Sequence, residues 1–232
     1  VTKAVDRVSF HVDQGEFIGV MGASGSGKTT LLNMLSTIDR VTAGHIYYQD
    51  VDITELSEDE LSDFRKKNLG FVFQDYNLLD NMTLQDNIAL PLSLNGVKTG
   101  EILKRVRETA AIFGLEPHLG KYPYQLSGGQ KQRAASARAL ITNPRILFAD
   151  EPTGALDSKS GRDLLCCLKA ANEAGKATIV MVTHDAYCAS YAKQVYFLKD
   201  GRIQCCLNRQ ENRKGFYDEI MAMLASMGGD QE

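Results

Sequence analysis

The segment Gly22-Ala23-Ser24-Gly25-Ser26-Gly27-Lys28-Thr29 constrains this chain more than any other. It follows Phe17 to Met21, a compact apolar run, and precedes Lys28 to Ser36, which reads as a helix with Leu31, Leu32 and Leu35 on its buried side. Strand, glycine-rich turn and helix in that order bring successive backbone N–H groups around a phosphate. The positive end of the helix adds to that field. Lys28 puts a point charge on the outer phosphates, and the Thr29 hydroxyl, followed by Thr30, is a ligand for Mg²⁺. Gly22 to Thr30 are therefore the expected cradle for a nucleoside triphosphate. A glycine-rich linker ending in Lys-Thr would lack the flanking strand and helix.

Such a cradle needs a second carboxylate for the metal. Ile146-Leu147-Phe148-Ala149 reads as a buried strand with Asp150 at its carboxyl end, where open α/β sheets bind ligands. Asp150 is expected to hold Mg²⁺, directly or through water. Glu151 follows and is the candidate general base toward an attacking water. Two solvated acids at a strand end are the plainer alternative.

The rest of the chain alternates short apolar runs with helical patterns, as in an α/β fold with a largely parallel sheet. Strands are expected at Val5 to Val12, His45 to Tyr48, Gly70 to Phe73, Arg145 to Ala149 and Ala177 to Val182. Asp200-Gly201 joins Gln194 to Lys199 and Arg202 to Cys206 as a hairpin. Ser57-Glu58-Asp59-Glu60 is a capping box opening a helix through Leu61 and Phe64. Helices are also expected at Thr83 to Leu94, Thr99 to Phe113 with Gly114 as its stop, Gly128 to Thr142, Ser158 to Ala174 and Phe216 to Met227. Residues 75–138 thus form a mostly helical insertion. It divides an α/β core at 1–74 and 139–206, and 207–232 make a C-terminal helical segment.

Composition narrows the function. A net charge of -3 leaves no cationic excess to coat a phosphate backbone, which argues against nucleic acid as a partner. Five cysteines, two pairs of them adjacent in sequence, make a poor disulfide framework and show no C-x-x-C spacing. They read as small buried hydrophobes in a reducing cytosol. No apolar run is long enough to span a bilayer, and no signal peptide is visible.

Leu126-Ser127-Gly128-Gly129-Gln130 decides the family. With the loop at Gly22 to Thr29 it makes the chain resemble an ATP-binding-cassette (ABC) nucleotide-binding domain over nearly its whole length. The physics agrees. Ser127 caps a helix with free N–H groups, and Gly128 and Gly129 let a phosphate come close to the backbone. Two anion sites in one chain duplicate each other. The resemblance implies a head-to-tail dimer of two copies, each ATP lying between the loop of one and the signature of the other.

It further implies a P-loop NTPase (RecA-like) core with an antiparallel β subdomain and an inserted helical subdomain. Gln74 resembles the glutamine that contacts Mg²⁺ and the attacking water, and His184 the histidine that contacts the γ-phosphate. Asp157 resembles the aspartate that organises the dimer interface, although a helix-capping acid before Ser158 would look the same. Two departures stand out. Gly154 occupies a position where Ser is commoner, and Val1 to Lys3 offers no adenine-stacking aromatic, which is expected upstream.

Leu69 to Leu79 resembles the macrolide-exporter and lipoprotein-release branch. Asp86 to Leu92 and Gly228-Gly229-Asp230 resemble bacitracin-type (Bce-type) peptide-antibiotic transporters. The implied protein is an ATPase subunit on the cytoplasmic face of the cell membrane, bound to an integral membrane permease. Phe73, Tyr76, Leu78, Leu79 and Met82 are the candidate groove for that partner, with ordinary core packing as the alternative. A cell-division-type complex, in which ATP drives a membrane partner without transport, is the competing reading.

Overall fold

The computed structural model describes residues 3–175, 177–210 and 212–228. Its centre is β1 (Phe17–Met21), buried at all five positions. The loop after it turns directly into α1 (Lys28–Leu35). A two-residue antiparallel ladder follows, β2 (Tyr47–Tyr48) with β3 (Val51–Asp52). Next come α2 (Glu58–Asn68) and β4 (Leu69–Val72). The capping box at Ser57 is present in full, Ser57 and Glu60 each bonding the other's backbone N–H.

The helical insertion comprises α3 (Leu84–Leu94), α4 (Thr99–Ile112) and α5 (Gly128–Leu140). The α/β pattern then resumes with β5 (Ile146–Asp150), α6 (Ser158–Gly175) and β6 (Thr178–Thr183). A short α7 (Ala186–Ala189), β7 (Gln194–Lys199), β8 (Arg202–Asn208) and α8 (Arg213–Gly228) complete the described chain.

The main sheet has the order β4-β5-β6-β1-β7-β8. Every neighbouring pair is parallel except β7 with β8, the hairpin turned by Asp200 and Gly201 at φ 51° and 74°. Side chains alternate across it. Phe17 and Met21 of β1 pack with Ile179 and Met181 against α6, α7 and α8. Ile18 and Val20 pack with Val180 and Val182 against Leu31 and Leu32 of α1. With both faces covered, these strands read as nearly continuous apolar runs. A separate core of Leu84, Ile88, Val106, Phe113 and Ala134 joins α3, α4 and α5.

Two expectations need correction. Val5 to Val12 is not a strand. Among the described residues its backbone contributes one backbone bond, Asp6 N–H to the Gly201 carbonyl at 2.8 Å. Its apolar alternation is real, because Val5, Val8, Phe10 and Val12 pack on the sheet and Phe10 lies 5.0 Å from the Tyr196 ring. Alternation reports burial, and burial does not require a paired backbone. The cysteines are also less uniform than expected. Cys188 is buried, Cys167, Cys205 and Cys206 are half-buried, and Cys166 is exposed.

Candidate functional site

Five parallel strands end at one edge of the sheet, and the residues just beyond them are Gly22, Phe73, Glu151, His184 and Asp200. The loop after β1 is built by exclusion. A Cβ on Gly22 would lie 2.2 Å from the Leu198 carbonyl oxygen, and one on Gly27 would lie 2.2 Å from that of Ala4. Gly27 also has φ 101° as the N-cap of α1, a conformation that L side chains rarely adopt. The Ser26 N–H bonds Ala23 O at 3.2 Å, and Gly201 N–H bonds Ser26 O at 3.0 Å. The Lys28 ammonium donates to the carbonyls of Gly22 and Ala23, both at 2.9 Å, which holds it over the loop. The Ser26 hydroxyl is buried without a partner. Ala23, Ser24 and Gly25 are exposed at the tip, and Thr30 is half-buried in the first turn of α1.

Beside the loop, Thr29 Oγ1 donates to Asp150 Oδ1 at 3.5 Å, so the two expected metal ligands from separate elements meet. Burial, with Glu151 next to it, pushes the Asp150 carboxyl above its usual range, against the opposing effects of Thr29 and Lys28. A nearby cation would offset that cost. The donor set of one hydroxyl and one carboxylate suits Mg²⁺.

Glu151 is held by the last two residues of β6 and the residue after them. Its N–H bonds Val182 O at 2.9 Å. Its Oε2 accepts from Thr183 Oγ1 at 3.1 Å, and its Oε1 from His184 Nδ1 at 2.8 Å. The predicted base and the predicted γ-phosphate histidine are therefore direct partners. Gln74 is exposed in the turn after β4. Its amide lies over Gly154, where a Cβ would meet Gln74 Nε2 at 3.4 Å. The small residue at 154 thus leaves room for Gln74.

The signature stands apart. Ser127 is the N-cap of α5, in a capping box with Gln130: Gln130 N–H donates to Ser127 Oγ at 3.3 Å and Ser127 N–H to Gln130 Oε1 at 2.9 Å. Leu126 and Gly129 are buried, and Gly128 is half-buried. A Cβ on Gly128 would lie 3.0 Å from Tyr76 Oη, and one on Gly129 2.6 Å from Ser160 Oγ. Among the described residues no hydrogen bond or ion pair joins Leu126 to Gln130 with Gly22 to Thr30. Asp157 acts here as a cap, accepting from Lys159 N–H, Ser160 N–H and Ser160 Oγ at 3.0, 3.0 and 2.7 Å.

Sequence reasoning missed the residues that shape the segment after Gln74. Tyr76 and Asn77 both have positive φ, 62° and 48°. Arg138 of α5 donates to their carbonyls at 3.0 and 2.6 Å, and the fully buried Gln132 of α5 donates to Phe73 O at 3.1 Å. The signature helix thereby grips the backbone beyond β4. Buried Asn87 holds the loop's far side through Leu79, Met82 and Thr83. Polar residues on the Ala-rich inner face of a helix were the available signal, because buried polar groups are there to satisfy something. The expected groove is divided. Phe73 stacks on Phe71 at 4.1 Å and Leu78 packs in the helical core, whereas Leu79 is 40% exposed. Tyr76 and Met82 are half-buried.

A glycine loop between strand and helix, a hydroxyl–carboxylate pair at its mouth and a glutamate directly after that carboxylate define a P-loop ATPase. Residues 5–154 match the family model described as ABC transporter, and the chain belongs to that family as an ATP-binding protein with ATPase chemistry. It is 50% identical over all 232 residues, and over 90% of the relative, to the bacitracin export ATP-binding protein BceA of Halalkalibacterium halodurans. It is 44% identical over 85% of its length to the macrolide export ATP-binding/permease protein MacB of Syntrophobacter fumaroxidans, 28% of which is covered. The dimeric MJ0796 cassette bound to ADP and Pi superposes with a TM-score of 0.83 at 40% identity, covering 90% of this chain and 91% of that one. Among the described residues no helix is long and apolar enough to cross a membrane.

Proposed function

We propose that the chain is one nucleotide-binding domain, with an α/β core at 1–74 and 139–206, a helical part at 75–138 and a C-terminal segment at 207–232, and that it completes its ATP sites by pairing with a second copy. The observation carrying this is the separation just described. One chain builds two anion-binding helix starts, at Gly27 and at Ser127, with no bond between them. The MJ0796 relative, dimeric with ADP and Pi, supports the same arrangement.

In this reading Gly22 to Thr30 bind the phosphates of one ATP and Leu126 to Gln130 reach it from the partner copy. Thr29, Asp150 and Gln74 would hold Mg²⁺, which would supply neutralisation of phosphate charge. The Lys28 ammonium leaves the loop carbonyls for the outer phosphates. Glu151 takes a proton from the attacking water at its carboxylate. His184 orients that carboxylate by donating from Nδ1 to Oε1, and its ring contacts the γ-phosphate. Asp157, at the start of α6, faces the partner copy. Glu151→Gln should retain ATP binding and lose turnover at least about a hundredfold; turnover near wild type would refute the assignment of the base.

We further propose that the paired ATPase drives an integral membrane permease at the cytoplasmic face of the cell membrane, and that the complex exports or removes antimicrobial peptides. Full-length likeness to the bacitracin export protein supports this. Likeness to MacB supports a macrolide-export complex as the second reading, beside lipoprotein-release and cell-division-type mechanotransmission complexes. The permease seat is the edge from Tyr76 to Met82, with Leu79 as its exposed apolar element. Co-purification of the permease should fail for Tyr76→Glu and Leu79→Glu in protein that still binds ATP. Unchanged assembly would place the seat elsewhere.

A further inference from the structure

The signature loop is held from behind by a residue that no motif includes. His118 ends the short turn Glu116–His118, and its Nε2 lies 3.0 Å from Nε2 of Gln130. Gln130 is already committed, because its Oε1 accepts the Ser127 N–H at 2.9 Å and closes the capping box of α5. Flipping the amide would set its NH₂ against that N–H, donor against donor. The NH₂ therefore faces His118, and His118 Nε2 must accept. This requires a neutral imidazole with its proton on Nδ1, and Nδ1 is buried without a partner. Lys121 and Arg133 are the charged groups facing the ring, Arg133 lying 3.8 Å from Asp163 of α6. Burial first, then Lys121 and Arg133, holds the imidazole below its ordinary range.

We propose that neutral His118 is a positioning residue for the signature loop and that protonating it releases the loop, weakening ATP-driven pairing in acid. A protonated ring presents N–H at Nε2. It then faces the Gln130 NH₂, donor against donor. Turning the amide to offer Oε1 would set its NH₂ against the Ser127 N–H, and the cap opens. Because the folded ring titrates below 6.5, the arrangement is complete at neutral pH and is lost as pH falls through the lowered value.

This rests on the reading of the signature as half of a shared site, and the test separates the two. ATP-driven dimerisation of the full chain carrying Glu151→Gln is measured by light scattering from pH 8 to 5, with ATP binding to the monomer as the check on folding. The parent should lose about tenfold in dimer affinity as pH falls through the lowered value, the cost of an opened cap. Adding His118→Gln, whose carbonyl accepts but does not titrate, should keep pairing near the parent's at pH 8 and abolish the acid loss. His118→Leu should weaken pairing about tenfold at every pH. Pairing of His118→Leu equal to the parent, or an acid loss retained in His118→Gln, overturns the proposal. Ser127→Glu places a carboxylate where the phosphate would sit. If it pairs normally, the signature reading falls and this one with it; if it abolishes pairing while the His118 variants behave as parent, only this one falls.

Discussion

Asn87 is the residue whose removal should be felt most out of proportion to its size. It is 0% exposed in the first turns of α3. Its Oδ1 accepts Leu79 N–H at 2.8 Å, and its Nδ2 faces the carbonyls of Leu79, Met82 and Thr83 at 3.0, 3.2 and 3.0 Å. An amide has two hydrogens, so three carbonyls share two bonds. With the accepted N–H that makes three bonds, each contributing roughly 1 kcal/mol net. Leu79 lies at the surface, so water can reach part of what is left and the orphan penalty stays small. Asn87→Ala is therefore expected to cost about 3 kcal/mol. In urea this appears as a midpoint lowered by about 1 M at unchanged slope. Asn87→Asp keeps the Leu79 N–H bond but turns a carboxylate toward three carbonyls. Its loss should be at least as large at pH 7 and should shrink as pH falls, because a protonated carboxyl recovers one donor. A cost below about 1 kcal/mol for Asn87→Ala, or a pH-independent Asn87→Asp, would show that the loop from Leu79 to Thr83 does not depend on this network.

Gly27→Ala should abolish nucleotide binding in titration calorimetry, because a Cβ there meets the Ala4 carbonyl at 2.2 Å in a left-handed conformation; binding within threefold of wild type would mean the loop relaxes. Asp157→Ala should speed hydrogen exchange in the first turn of α6. Hydrogen bonds from Ser160 and Lys159 lower the Asp157 pKa, so the difference from wild type should be full above 3.8 and vanish as pH falls through the lowered value. Thiol labelling of native protein should modify exposed Cys166 first. Cys188 should react only on unfolding, since it is buried and its thiol is pushed up to about 12; early labelling of Cys188 would contradict the packing of α7.

The parts of this molecule most legible in sequence are those whose cause is local. The capping box at Ser57 to Glu60 appears as read, because it needs only four consecutive residues. The strand before Gly22 and the helix after it follow from apolar spacing alone. Val5 to Val12 misled because a periodic side-chain pattern says which residues are buried and nothing about whether the backbone finds a partner. Gln132 and Arg138 were invisible because their partners, the carbonyls of Phe73, Tyr76 and Asn77, lie about sixty residues away in sequence. The signature helix looked like a phosphate site with a helix behind it. It is also the clamp that sets the course of the chain beyond Gln74.

Glu151 shows how far adjacency can carry an inference. Its place beside Asp150 suggested a second acid at the same site, yet along an extended strand neighbouring side chains point to opposite faces. Left to that alternation, Asp150 and Glu151 could not share one site. The chain instead leaves the strand at Glu151, which takes φ 43°, an uncommon conformation for a residue with a side chain. Such a conformation persists only where the surroundings over-determine it. Here Val182, Thr183 and His184 do so, one bonding the backbone and two the carboxylate oxygens. The position of the proposed base is therefore set by the end of β6 more than by its own strand. The same strand end runs through His184 and Asp185 into α7, whose Cys188 and Ala189 pack in one cluster with Phe216 and Ile220 of α8. A shift of α7 would thus act on Glu151 through two hydrogen bonds. That makes the C-terminal helix, distant from the loop at Gly22 in sequence, a structural support of the same site.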